Sequence, residues 1–274
     1  MKNITKEKLE QLYIIERKRR PEIAKELGIS PSTVQYLATK YGLKRPRLER
    51  TRPKSHYSLN ECYFEKIDSP EKAYWLGFLA ADGCIQAEKG NYRLQIELST
   101  KDRGHLEKFA KAIEFSGPIY YDREHKQVYK KITKIVLCDM IGVASKPMVL
   151  DLISHGVIPR KSKILNPPTI DKHLVSHWIR GYFDGDGSVS LVEKTQHICG
   201  SIFGTKLVMT FIAEIFQKET GTTASAHYRK KKSGWELCFH GNLLAQKVEK
   251  YLYANAMIFL ERKYQKFHCL DEEV

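Results

Sequence analysis

From about residue 60 onward, apolar positions change period in one order, and that order occurs twice. An apolar run, AYWLGFLAADG at 73–83, has helical spacing and stops on Asp82-Gly83. A hairpin pattern follows. It turns at Lys89-Gly90-Asn91, then sets Tyr92, Leu94, Ile96 and Leu98 against Arg93, Gln95 and Glu97. Asp102 stands where it can cap a helix carrying Leu106, Phe109, Ala110 and Ile113. A second strand pair is predicted over 118–138 with a polar turn near Asp122–Gln127, and SKPMVLDLISHG at 145–156 reads as a closing helix. The second pass starts with HWIRGYFDGDG at 177–187. Weaker strands follow at SVSLV and HICGSIF, then a helix capped by Thr205 and carrying Leu207, Val208, Phe211, Ile212, Ile215 and Phe216. A hairpin turning at Lys232-Ser233-Gly234 comes next, and helical sequence ends in IFLERKYQKF. The pattern predicts an α+β fold of two αββαββα repeats, residues 61–168 and 169–274, joined near Asn166-Pro167-Pro168. Each repeat closes on Arg-Lys. Lys161 follows Asp82 by 79 residues, and Lys263 follows Asp186 by 77.

The two apolar helices have small residues four apart: Ala73, Gly77 and Ala81 in one, Gly181 and Gly185 in the other. Residues at i and i+4 share a face, so two such helices can pack backbone to backbone. Trp75, Leu76, Phe78 and Leu79, with Trp178, Ile179, Tyr182 and Phe183, are then left for the core. Gly83 and Gly187 are expected to end the helices as left-handed residues. An aspartate at a helix C-terminus opposes the macrodipole, and two brought together also repel. A bound cation offsets both costs, and carboxylates with helix-end carbonyls make a hard oxygen site suited to Mg²⁺, with Mn²⁺ or Ca²⁺ as substitutes. An EF-hand loop starting at Asp184 is excluded, because its twelfth position is Thr195 rather than glutamate.

Residues 1–43 read as a separate all-α module. TKEKLEQLYIIERK places Leu9, Leu12, Tyr13 and Ile15 or Glu16 on successive turns, and PEIAKEL begins on a helix-initiating proline. Gly28 suits a tight bend and Ser30 suits the cap of PSTVQYLATKYG, so IAKELGISPSTVQYL resembles a helix-turn-helix. Ile23, Leu27, Ile29, Val34 and Leu37 form its small core. Ser32, Thr33, Gln35 and Tyr36 project from the second helix toward base edges. Residues 44–60, rich in proline and arginine, are expected to be an extended basic linker, either a solvated tether or a segment with Arg45 and Arg47 along phosphates or in the minor groove.

Charge strengthens this reading. The chain has a net charge of +14, and its first 60 residues carry 15 Lys/Arg against 6 Asp/Glu. Such a balance points to a polyanionic partner. The hydrophobic fraction of 42% describes a folded chain. Six scattered cysteines without metal spacing imply a reducing, cytoplasmic setting and no zinc site. Neither a signal peptide nor a membrane span is expected.

WLGFLAADG (75–83) and IRGYFDGDG (179–187), in their repeat context, resemble the paired signature of the LAGLIDADG homing endonucleases in their single-chain, two-repeat form. The SKPMVLDLISHGVIPRKS and YLYANAMIFLERKY blocks extend the resemblance over about residues 70–267. It implies pseudo-twofold symmetry, saddle-shaped antiparallel sheets in the major groove of double-stranded DNA, and a monomer that cuts each strand once. It further implies Mg²⁺ held by Asp82 and Asp186 with the carbonyls of Ala81 and Gly185, and cleavage that leaves short 3′ overhangs in the service of intron mobility. Repeat one departs from the motif, with Ala80 where repeat two has the earlier acidic residue, Asp184. Lys161 and Lys263 are the expected basic partners of the site, with Lys163 and Lys266 behind them. On the strands, Arg93 and Gln95 in repeat one and His227, Arg229, Lys231 and Lys232 in repeat two are expected to meet bases or phosphates, with Lys130, Lys131 and Lys134 beside them. Two other readings fit the same fold: a DNA-binding regulator that does not cut, and an intron RNA maturase. An intein is not expected, because no splicing domain flanks the repeats.

Overall fold

The protein is described here from a computed structural model at residues 4–16, 18, 20–43, 57–129, 132–221, 224 and 226–268. It divides into two compact units at the boundary between residues 56 and 57.

In the first unit, α1 (Lys6–Glu10) runs into a π-helical turn at Gln11–Ile15, followed by α2 (Arg20–Leu27) and α3 (Pro31–Lys40). Leu9, Leu12, Tyr13, Ile23, Ala24, Val34 and Ala38 form the buried cluster, with Leu27, Ile29 and Leu37 packed on its edge. Ile15, expected inside, is 65% exposed. The bond from Glu16 N–H to the Gln11 carbonyl spans five residues, so each residue in this turn advances by a smaller angle than in an α-helix. Ile14 packs on the cluster in its place. Gly28 takes φ +65°, and Ser30 Oγ accepts the Thr33 N–H at 3.1 Å, capping α3. The expected linker lies outside the described residues up to position 56, as do Arg45 and Arg47.

The second unit is α+β and carries the repeat. Repeat one comprises α4 (Pro70–Asp82), β1 (Cys84–Glu88), β2 (Asn91–Ser99), α5 (Arg103–Ala112), β3 (Ile119–Tyr129), β4 (Ile132–Val143) and α6 (Lys146–Ser154). Repeat two comprises α7 (Val175–Asp186), β5 (Gly187–Val192), β6 (His197–Gly204), α8 (Lys206–Thr220), β7 (Ala226–Arg229), β8 (Gly234–His240) and α9 (Asn242–Tyr253), and the short α10 (Glu261–Tyr264) follows. Each forms an antiparallel four-stranded sheet with its last hairpin inverted, in the orders β1-β2-β4-β3 and β5-β6-β8-β7. Ser69, Ser145 and Thr205 accept backbone N–H bonds at the starts of α4, α6 and α8.

The repeats share one core through α4 and α7. Trp75, Leu76, Phe78, Leu79, Trp178, Ile179, Tyr182 and Phe183 are all buried in it. A Cβ on Gly77 would stand 2.0 Å from the Trp178 carbonyl oxygen, and one on Gly181 would stand 2.0 Å from that of Tyr74. This reciprocity is what a local twofold relation between the repeats requires. Only glycine permits such an approach, and it turns the α-hydrogens toward facing carbonyls.

Four expectations are corrected. Gly83 (φ −70°, ψ 135°) and Gly187 (φ −87°, ψ 162°) are extended, not left-handed. The chain leaves each helix directly into a strand, and glycine is needed because a Cβ would strike the Leu79 or Phe183 carbonyl. The polar run Asp122–Gln127 is no turn. Pairing slips by one residue between Tyr120 and Arg123, Asp122 takes φ +52°, and β3 continues to Tyr129. A bulge thus absorbs the turn-forming aspartate, whose N–H is held by Asp139 at 2.8 Å. Asp102 occupies the N-cap of α5 but makes no side-chain cap bond there, because its carboxylate is bound by Arg262. In α8, Leu207 is 58% exposed and Met209 is buried instead.

Gly181→Ala should destabilise the second unit by about 1–3 kcal/mol or more, the cost of overpacking a rigid contact. Chemical denaturation of the purified protein measures this, and an unchanged midpoint would mean that the helices separate freely.

Candidate functional site

Because α4 and α7 pack backbone to backbone, their C-terminal tips adjoin. Asp82 is the last residue of α4 and Asp186 the last of α7. A Cβ on Gly185 would lie 3.4 Å from Asp82 Oδ2 and closer still to Ala81 Cβ. The carboxylate of one repeat therefore reaches the end of the other repeat's helix. Asp82 is half-buried and Asp186 keeps an exposed side.

Both expected lysines come to these tips. Lys161 and Lys263 are 7% and 5% exposed, unusually enclosed for ammonium groups. Lys161 Nζ donates to the Gly83 carbonyl. Lys263 Nζ donates to the carbonyls of Phe183 (3.0 Å), Asp184 (2.5 Å) and Gly185 (2.9 Å), capping the negative pole of α7. Lys163 is exposed.

Charges in this cleft are poorly compensated. Crowding by protein atoms, reinforced by Asp82, pushes the Asp186 carboxyl up to about 6 against the pull of Lys161 and Lys263. Burial likewise raises Asp82, and the two lysines oppose it. Burial lowers Lys263 to about 8 and lowers Lys161, each opposed by the aspartates. Two carboxylates and two ammonium groups sum to zero net charge, yet every one of the four titrates away from its charged form. Adding a phosphate brings an uncompensated negative charge.

Among the described residues no cluster of three or more His, Cys, Asp or Glu is poised for a metal. The donors at the tips are instead two carboxylates and helix-end carbonyls. Hard oxygen donors with carboxyls held above their ordinary range suit a divalent cation such as Mg²⁺. The Gly185 carbonyl already accepts from Lys263 and has one lone pair left for a cation.

Asp184 plays a different part. It is fully enclosed and accepts from Tyr74 Oη (2.7 Å), Tyr253 Oη (3.0 Å) and Leu260 N–H (2.8 Å). Burial raises its pKa to about 6 against these three donors. It ties α4, α7, α9 and the approach to α10 together. Nothing in the motif spacing distinguishes this role from that of Asp186.

The sheets place the expected DNA-contacting residues as follows. Leu94, Ile96 and Leu98 face the core, and Arg93, Gln95 and Glu97 alternate onto the other face. The Arg93 guanidinium lies over Gly142, where any side chain would meet it. His227 and Arg229 share the outer face of β7, and Lys231 and Lys232 are exposed at its turn. Arg229 and Lys232 are both engaged by Glu236, at 2.5 and 3.3 Å. Lys134 is exposed on β4, whereas Lys130 and Lys131 lie outside the described residues. In the first unit Ser32, Gln35 and Tyr36 are exposed, and Thr33 Oγ1 is 2.8 Å from the capping hydroxyl of Ser30. Sequence reasoning missed Arg123 and His125. Both sit on the outer face of β3 against Glu97, at 3.4 and 2.8 Å. The alternation Arg123, His125 in place of a turn was the signal that would have found them.

Residues 69–145 match the family model described as LAGLIDADG-like domain. Over 172 residues, 61% of this chain, the sequence is 27% identical to the uncharacterized protein MJ0314 of Methanocaldococcus jannaschii, and the match spans 62% of that relative's length. Among solved structures, the homing endonuclease I-WcaI bound to its DNA recognition sequence is similar at 12% identity and a TM-score of 0.49, covering 71% of this chain and 85% of that one. The I-LtrWI LAGLIDADG homing endonuclease bound to target DNA is similar at 11% identity and a TM-score of 0.48, covering 78% and 91%.

The Asp186 shift fixes a sign for stability. A carboxyl whose folded pKa is about 6 binds more protons than its unfolded form at 3.8, so its contribution to stability is full at low pH and is lost as pH rises through about 6. Asp186→Asn should therefore raise the melting temperature at pH 7–8 in EDTA, and the gain should vanish as pH falls toward 4. Thermal melts of both proteins across this range check it, and an asparagine variant less stable at pH 8 would refute the electrostatic account.

Proposed function

We propose that this chain, which carries a LAGLIDADG-like domain over residues 69–145, is a site-specific double-strand DNA endonuclease that hydrolyses one phosphodiester in each strand. The observation that carries this reading is the meeting of Asp82 and Asp186 at the adjoining tips of two glycine-packed helices, each tip attended by an enclosed lysine. Asp82 and Asp186, with the carbonyls of Ala81 and Gly185, would hold Mg²⁺ or another divalent ion. When bound, such an ion lowers the pKa of water and neutralises charge on a phosphoryl group.

The chain's own residues supply the rest. Lys161 and Lys263 direct positive charge at the point where a phosphate would enter, and their burial makes that charge act with little screening by water. Lys263 Nζ, with its three donors on helix-end carbonyls, would act as a fixed positive charge beside the phosphate rather than as a proton donor. Arg93, Gln95, Arg123 and His125 on one sheet, and His227, Arg229, Lys231 and Lys232 on the other, would read base edges and phosphates. Their long polar side chains match major-groove donors and acceptors. Ser32, Thr33, Gln35 and Tyr36 would add contacts from the first unit, in the manner of a helix-turn-helix, with Arg45, Arg47, Lys130 and Lys131 as further phosphate contacts. The net charge of +14 supports a double-stranded DNA partner, and no helix of the described residues is long and apolar enough to cross a membrane.

Asp82→Asn and Asp186→Asn should each abolish double-strand cleavage in Mg²⁺ while a gel shift still shows site binding. Undiminished cutting by either variant would sink the assignment. Binding without any cutting by the native protein would favour the regulator reading instead. Deleting residues 1–54 should weaken binding and flatten its salt dependence, with the cutting chemistry retained, and equal affinity at every salt concentration would remove the first unit from DNA recognition.

A further inference from the structure

Lys263 sits on a very short helix, and that helix is held in place by the opposite repeat. Three consecutive residues before the lysine are tied down. Leu260 N–H donates to Asp184, which itself is bonded to Tyr74 of α4. Glu261 pairs with Lys108 of α5 at 2.5 Å. Arg262 forks onto Asp102, Nε to Oδ1 at 2.9 Å and Nη2 to Oδ2 at 2.8 Å. The fork is the two-point geometry in which a guanidinium fixes direction as well as distance. Asp102 is only 7% exposed.

The corresponding place in the other half is built differently. Asp102 and Thr205 are the N-cap residues of α5 and α8, the equivalent helices of the two repeats. Thr205 keeps its capping bond to Val208 N–H and donates its hydroxyl to the Leu165 carbonyl of repeat one at 2.7 Å. Asp102 gives up the capping bond and holds the arginine next to Lys263. Arg160, the counterpart of Arg262 beside Lys161, takes φ +57° and pairs at the surface with Glu88 of its own repeat. Lys161 thus has no charged anchor from the opposite repeat next to it, and its Nζ rests on a single helix-end carbonyl where Lys263 engages three.

We propose that Asp102 is a positioning residue for Lys263: it acts across the repeat boundary through Arg262, and it makes the two halves of the site unequal in a way that one substitution exposes. The proposal rests on the endonuclease reading for its consequence in cleavage, but the positioning itself is measurable without DNA. Removing Asp102 leaves Arg262, whose side chain is 43% exposed, free to be solvated, so the fold is expected to survive. What it loses is the direction of the turn that carries Lys263.

The experiment uses the full chain and a duplex target recovered by sequencing ends cut from a randomised library, labelled separately on each strand. Asp102→Ala should slow cleavage of one strand by about ten- to a hundredfold, the penalty of a small misplacement of a reacting group, and leave the other strand near its native rate. Nicked duplex then accumulates. Asp102→Glu, which keeps the carboxylate, should restore much of the lost rate. In parallel, acetic anhydride should label Lys263 several-fold faster in Asp102→Ala than in the native protein, with Lys161 in the same molecule unchanged. Equal slowing of both strands, or labelling of Lys263 that does not change, overturns the positioning role. If the native protein cuts no duplex, the endonuclease reading fails on its own, and the labelling ratio still decides whether Asp102 positions Lys263.

Discussion

Gly77 and Gly181 each lie against a backbone carbonyl of the facing helix, and that close approach fixes nearly everything else about the site. With any larger residue the axes of α4 and α7 would move apart by the width of a side chain. The two tips would then separate, and Asp82 would no longer reach the end of α7. The aromatic residues on the outer sides of the same helices complete the constraint. Trp75 and Phe78 pack into repeat one, Trp178 and Tyr182 into repeat two, so each helix is gripped from behind while its bare face meets its partner. The two aspartates are therefore carried by a close-packed helix pair, whereas Lys161 and Lys263 reach it from short turns.

That rigidity holds a charge arrangement that would not assemble by its own attraction. Two carboxylates meet at the negative poles of two helices, and two lysines are buried to face those poles. Burial disfavours the charged form of all four, raising the acids and lowering the bases. The stability needed to keep them there comes from the helix pair and the core behind it. Asp186 keeps an exposed side while Asp82, Lys161 and Lys263 are partly or wholly enclosed, so the tips present charge on a fixed frame with one open approach.

Much of this was legible in the sequence because it depends on spacing. Small residues four apart foretold the helix pair, alternation foretold the inner faces of β2, and a shared aspartate-to-lysine interval foretold the duplication. What was not legible depends on tertiary partners. Asp122 has the chemistry of a turn, yet Asp139 and Arg103 hold it as a bulge inside a long strand, and the misplaced turn hid Arg123 and His125. Asp102 has the chemistry of a cap, yet a fork from Arg262, 160 residues away, outcompetes one backbone N–H. Gly83 and Gly187 were correctly singled out for the wrong reason: the constraint is the missing Cβ, not the sign of φ.

The same contrast between spacing and partners explains how a duplicated scaffold can carry unequal halves. The helix pair must stay symmetric, since each glycine needs the carbonyl opposite. The residues one layer out face no such demand. Ala80 in repeat one holds the position that Asp184 holds in repeat two, and only the aspartate gathers Tyr74, Tyr253 and the Leu260 N–H around it. Asp102 and Thr205 share one position in the repeat and reach across the same boundary, one with a charged fork and the other with a neutral hydroxyl. Both differences act on the same segment, residues 260–263, and both tighten it. The second lysine is consequently fixed by more bonds than the first, although the two aspartates they serve sit on helices of matched geometry.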